Sequence, residues 1–186
     1  MVFHFGGSAR LSLAGDCEQD DCFTAIAGYE HARGKQITNM KTLVVYYSLT
    51  GNTKFIAEAV AKTLVADLAE IKPKHDDGGK GLLKMFWRGK QAVMKEKPEL
   101  LPMEKKLADY DLVVLGSPVW ASSCSPALYS FVCANDFTQK NVAVFVCHGG
   151  ALGKTFENLR NNLKGAEVVS EIDFIDPLFN TEENCL

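Results

Sequence analysis

No apolar run in the sequence approaches the roughly 18–20 residues that cross a bilayer. The opening residues, Met1-Val2-Phe3-His4-Phe5-Gly6-Gly7, show no basic stretch followed by an apolar one. Neither a membrane span nor a secretory signal is expected. Cysteine is sparse, with 6 in 186 residues, too few for a disulfide scaffold in a chain this long. None forms a Cys-x-x-Cys pair, and no Cys/His set has zinc-finger spacing. Free thiols in a reducing, cytoplasmic compartment are the expectation. Charge of one sign is not in excess: 20 Lys and Arg face 23 Asp and Glu, for a formal net charge of −3. That balance excludes nucleic-acid binding through overall charge. Several motifs are also missing. There is no G-x-x-x-x-G-K-[ST], no G-x-G-x-x-G and no G-x-S-x-G nucleophile elbow.

What is present is ordinary for one globular domain: 47% hydrophobic and 23% charged residues. From residue 40 onward, strand-like and helix-like segments alternate. Residues 41–47, 67–72, 111–116, 142–147 and 168–174 read as strands, rich in β-branched and aromatic residues. Helical spacing marks 52–66, 82–95, 126–134 with Ser125 as N-cap, and 154–164 closed by Gly165. Strands separated by helices imply a parallel sheet covered on both faces. The fold class expected is α/β, a three-layer αβα sandwich around an open, doubly wound sheet of five strands. Ligands in such sheets bind at the carboxyl ends of the strands, beside the switch in strand order.

The ends of the pattern are irregular. The fifth strand is followed by Pro177 and nine further residues, so the helix expected there is missing or replaced. Residues 1–39 form an extension to the domain at 40–186. Within it, residues 21–33 carry helix start and stop signals. A helix there would fill the vacant position, as in a circular permutant, while the simpler alternative is an unattached extension. A second copy of the chain is another candidate cover for a bare sheet face, which makes a dimer an open expectation.

The segment following the first strand carries the chemistry. Ser48-Leu49-Thr50-Gly51-Asn52-Thr53 runs straight into a helix. Three hydroxyls, an amide and successive backbone N–H groups meet at a helix N-terminus, which attracts anions. A simple helix cap would need one such side chain, not four. The segment contains no Lys or Arg, so it suits a phosphate monoester held by hydrogen bonds alone.

The stretch Val44-Val45-Tyr46-Tyr47-Ser48-Leu49-Thr50-Gly51-Asn52-Thr53-Lys54-Phe55-Ile56-Ala57-Glu58-Ala59-Val60 resembles the flavodoxin signature along its length. The resemblance implies a flavodoxin-like sheet of order 2-1-3-4-5 and a non-covalently bound FMN. It implies that Ser48, Thr50, Asn52 and Thr53 hold the FMN phosphate through side chains, with Leu49 and Gly51 contributing backbone. Gly116-Ser117-Pro118-Val119-Trp120-Ala121 is similar to the first flavin-flanking loop, with Trp120 placed to stack on the ring or touch its edge. Cys147-His148-Gly149-Gly150 is similar to the second such loop, where glycines bring backbone N–H groups to the polar edge of the ring.

Cys147 beside His148 does not form a nucleophile–base dyad, because neighbours on a strand point to opposite faces. No catalytic side chain and no metal site are named. Residues 72–97 hold eight basic and three acidic residues interleaved with Phe86 and Trp87, a solvated helix face, a docking patch for an acidic partner, or part of a lid near the flavin. Two departures qualify the resemblance. Setting aside the 3 basic and 5 acidic residues of 1–39 leaves 17 against 18, far from the acidic surface that flavodoxins use for docking. Residues 118–122 contain no glycine, which weakens the case for one-electron specialisation. The leading expectation is an electron carrier served by redox partner proteins, a reductase and an acceptor. Alternatives are an FMN-dependent NAD(P)H:quinone-type oxidoreductase and a cofactor-free interaction module.

Overall fold

The computed structural model describes residues 40–74 and 97–180, and the backbone of 10–13. The expected helices at 21–33 and 82–95, and the residues Phe86 and Trp87, lie outside the described residues. The elements are β1 (Arg10–Leu13), β2 (Thr42–Tyr46), α1 (Asn52–Thr63), β3 (Asp67–Glu70), β4 (Leu112–Trp120), β5 (Ser123–Cys124), α2 (Pro126–Ala134), β6 (Asn141–His148), α3 (Thr155–Asn162), β7 (Glu167–Ile175) and the single turn α4 (Pro177–Asn180).

The sheet runs β1-β7-β6-β4-β2-β3, with every neighbour parallel. The five strands β2, β3, β4, β6 and β7 therefore have the order 2-1-3-4-5 expected from the sequence. β1 adds a further parallel strand outside β7, Leu11 opposite Ile172 and Leu13 opposite Phe174. The switch in order falls between β2 and β4, because the chain leaves β2 toward β3 and returns on the other side.

Strand composition explains the burial. Val113, Val114, Leu43, Val44 and Val45 are fully buried. A strand covered on both faces must be apolar at every position rather than at alternate ones. Burying one such side chain contributes about 1.5–3 kcal/mol. One face packs Val44, Val114, Phe145 and Phe174 with the α1 stripe Ile56, Ala57, Val60 and Ala61. The i, i+1, i+4, i+5 spacing of that stripe turns a single face of the helix to the sheet. The other face packs Val45, Leu115 and Val144 with Leu128 and Phe131 of α2 and Phe156 and Leu159 of α3. The Ser125 hydroxyl accepts from the Leu128 N–H at 3.3 Å, and Pro126 sits at the first helical position, so α2 begins with both expected signals.

β4 is longer than the sequence pattern suggests. It continues through Ser117-Pro118-Val119-Trp120 and folds back as a hairpin onto β5. The hairpin is closed by Ala121 (φ 48°) and Ser122 (φ 61°). Two positive φ angles match the twist that short hairpins require. Neither residue is a glycine or asparagine, so the turn holds strain of roughly 1–2 kcal/mol per residue.

Candidate functional site

The carboxyl end of the sheet brings three segments together: 48–53 between β2 and α1, 117–122 at the end of β4, and 147–154 between β6 and α3. The first turns toward one face of the sheet and the second toward the other, opening a crevice at the switch point.

Gly51 stands at φ 99°, a left-handed conformation that favours glycine, and its carbonyl accepts from the Phe55 N–H at 2.8 Å. Its own N–H donates to Ser48 Oγ at 3.2 Å. Thr50 Oγ1 accepts from the Asn52 side-chain amide at 3.4 Å. Both hydroxyl oxygens thus accept an internal donor, and each hydroxyl still carries a proton it can donate. No side chain caps α1, and the first N–H groups of a helix have no partner within it. Donors and the positive end of the helix dipole therefore converge where an anion would sit.

Asn52 has a second task. Its Oδ1 accepts from the Leu178 N–H at 3.0 Å, tying α4 to this segment. A side chain at Gly51 would begin 3.2 Å from Leu178 Cδ1. Thr53 is 1% exposed and lies against the Cys147 thiol, whose pKa burial pushes up to about 12. Its side chain is buried at the start of α1, and its backbone N–H belongs to the first turn of that helix. Leu49 packs against the apolar core.

In the second segment, Ser117 is fully buried. Its Oγ accepts from the Ser125 N–H at 2.9 Å and lies 2.9 Å from the Pro118 carbonyl oxygen. The side chain ties β4 to the start of α2 and leaves backbone alone for a ligand. Pro118 lies beyond the last β2 partner, where its missing N–H breaks no ladder bond to β2. Val119 and Trp120 are half-buried against the core. The Trp120 ring meets Tyr47 edge-on, centroids 5.7 Å apart. Ala121 is exposed at the turn.

In the third segment, Cys147 and His148 point to opposite faces, Cys147 toward α1 and His148 toward β7. His148 Nε2 lies 3.0 Å from Asp173 Oδ2, with both side chains buried. Gly149 and Gly150 are exposed, and nothing lies within 4 Å of where a Gly150 side chain would begin. A flat ring can approach this bare backbone. Gly153 packs directly on Ser122, and Asn158 Nδ2 donates to the Ser122 carbonyl at 3.4 Å, so the second and third segments touch.

Sequence reasoning missed Asp173, Asp176, Leu178 and Ser122. Each acts through contacts between strands or loops, and none belongs to a linear motif. A groove of about 650 Å³ lined by Met40, Lys41, Thr42, Lys62 and Val65 lies at the amino end of the sheet. That is the wrong end for the chemistry of open α/β sheets. Among the described residues, no group of three or more His, Cys, Asp and Glu is set to hold a metal ion, and no helix is long and apolar enough to cross a membrane.

A family model described as flavodoxin matches residues 41–175. The fold is similar to that of a flavoprotein from Lactobacillus acidophilus NCFM crystallised in complex with FMN. That pair shares 23% identity, covers 77% of this chain and 98% of the other, and has a TM-score of 0.65. The apo form of the flavoprotein from the same organism gives 24% identity, 73% and 93% coverage and a TM-score of 0.58. A protein from Bacteroides uniformis gives 24%, 78% and 98%, with a TM-score of 0.61. No curated protein matches the chain.

Proposed function

The chain belongs to the flavodoxin family, and we propose that it binds FMN non-covalently and carries electrons between protein partners. The observation that carries this reading is the start of α1. It has no side-chain cap, and Ser48 and Thr50 stand beside it with hydroxyl protons free to donate. A phosphate monoester satisfies these donors without any basic side chain. The FMN held by the Lactobacillus flavoprotein supports the choice of ligand.

Bound FMN supplies one- and two-electron redox chemistry, and the protein sets its orientation and access to water. Ser48, Thr50 and the backbone of Gly51, Asn52 and Thr53 hold the phosphate. Trp120, the backbone of Pro118, Val119 and Ala121, and the backbone of Gly149 and Gly150 would border the ring. No side chain in these segments needs to act as an acid or base.

A carrier is favoured over an oxidoreductase with its own small substrate by the economy of the ring-side segments. The β4–β5 hairpin closes through Ala121 and Ser122 alone, and Gly153 packs tightly on Ser122. Among the described residues, little chain flanks these segments from which a second substrate pocket could be built. The test is stepwise reduction of the FMN-loaded protein, followed by absorption. Two separated one-electron steps support the carrier. Steady turnover of NAD(P)H with a quinone, without a partner reductase, overturns it in favour of the oxidoreductase.

A further inference from the structure

We propose that His148 is a positioning residue whose buried imidazole, held by Asp173, fixes the Gly149–Gly150 backbone against which the ring of FMN packs. The ligand in this statement rests on the FMN reading above, whereas the latch itself rests on geometry alone.

His148 closes β6, and Asp173 stands beside it on β7. Their contact is 3.0 Å between Nε2 and Oδ2, and the side chains are 5% and 4% exposed. The other ring nitrogen, Nδ1, accepts the Gly150 N–H at 3.0 Å. An N–H can donate to Nδ1 only if that nitrogen keeps its lone pair. The imidazole is therefore the neutral tautomer, with its proton on Nε2 donated to the Asp173 carboxylate. The His148 carbonyl in turn accepts the Asp176 N–H at 3.0 Å. The Asp176 carboxylate lies alongside Gly149, 3.4 Å from where a side chain there would begin.

One residue thus anchors this corner in three directions: to β7, to the segment above it, and to the turn leading into α4. Gly149 and Gly150 have no side chains with which to anchor themselves, and glycine loses more conformational freedom on ordering than any other residue. The bond from Gly150 to Nδ1 supplies the missing constraint. The ring is buried beneath the segment, so His148 acts on the ligand only through the backbone it holds.

Two substitutions separate this role from simple burial. Asn places its carbonyl oxygen near the position of Nδ1, so His148→Asn retains an acceptor for Gly150. Gln places its amide near the position of Nε2, so His148→Gln retains a donor for Asp173 but loses that acceptor. FMN affinity is read by fluorescence quenching, alongside the thermal midpoint of each apo protein. His148→Gln is expected to weaken FMN roughly tenfold or more, the equivalent of one lost hydrogen bond, and His148→Asn by no more than about threefold. The reverse order, or two variants that bind as wild type does, overturns the proposal. A measurement on the wild-type apo protein needs no variant. Nitrogen-15 shifts should show the Nε2–H tautomer of His148, and the Gly150 amide should exchange slowly with solvent. An Nδ1–H tautomer, or a Gly150 amide that exchanges like a free peptide, overturns the latch. If wild type fails to bind FMN, the ligand reading falls, and these NMR results still decide the latch.

Discussion

The Phe145 ring of β6 lies directly on the Cα of Gly116 in the neighbouring strand β4, in the space a side chain at 116 would occupy. The ring also meets Phe174 of β7 edge-on at 6.3 Å, so one aromatic bridges three strands just below the crevice. Gly116→Ala must push this ring aside, and overpacking of that kind costs about 1–3 kcal/mol. The expected outcome is a lower denaturant midpoint, part of which Phe145→Leu restores in the double variant. An unchanged midpoint for Gly116→Ala would contradict the packing.

Gly51→Ala should act on the anion position as well as on stability. It forces a non-glycine residue to φ 99° and brings its Cβ within 3.2 Å of Leu178 Cδ1. A left-handed residue alone costs roughly 1–2 kcal/mol, enough for about a tenfold loss of FMN affinity if the strain is relieved by moving this segment. Equilibrium titration of the variant with FMN checks it.

The thiols should divide by burial. Desolvation pushes Cys124 and Cys147 up to about 12, while Cys133 is exposed. At pH 8 a thiol with a pKa near 12 is about one part in ten thousand thiolate, and only the thiolate reacts. Iodoacetamide followed by peptide mass spectrometry should find Cys133 modified in the native protein. Cys124 and Cys147 should be modified only after unfolding.

Two tyrosines should ionise late. Burial raises both Tyr46 and Tyr110 to about 12, and Tyr110 also donates to Asp67 Oδ2 at 2.6 Å. Because the folded pKa is raised, the stability these phenols add is fully present below the unfolded value of about 10 and is lost as pH rises through about 12. Asp67 has the opposite sign. Hydrogen bonds from Lys105 and Tyr110 lower its pKa, so its contribution is present above the ordinary carboxylate range and fades as pH falls through the lowered value. Ultraviolet titration of wild type against Tyr110→Phe should remove one late-ionising phenol.

Local signals were legible from the sequence. The buried strands announce themselves as apolar runs, and the 2-1-3-4-5 order follows the flavodoxin-like signature at residues 44–60. Ser125 and Pro126 mark the start of α2 by their chemistry alone. What the sequence hides is pairing at a distance. Nothing in the linear pattern says that Ser117 turns inward to Ser125, that Thr53 faces Cys147, or that Asn52 reaches Leu178, 126 residues on. The extension of β4 to Trp120 is hidden for another reason. Ala121 and Ser122 form a hairpin turn without the Asn-Gly or Gly residues that usually signal one. The pairing of β1 with β7 likewise depends on a sheet edge that no local pattern describes.

The most direct test of the phosphate position compares FMN with riboflavin, which carries the same ring without the phosphate. With Ser48, Thr50 and the uncapped start of α1 as the anchor, the apo protein should bind FMN at least about a hundredfold more tightly, the worth of two hydrogen bonds to a charged group. Ser48→Ala combined with Thr50→Ala should remove most of that preference. Equal affinity for the two flavins, or a preference that survives the double substitution, would contradict the account.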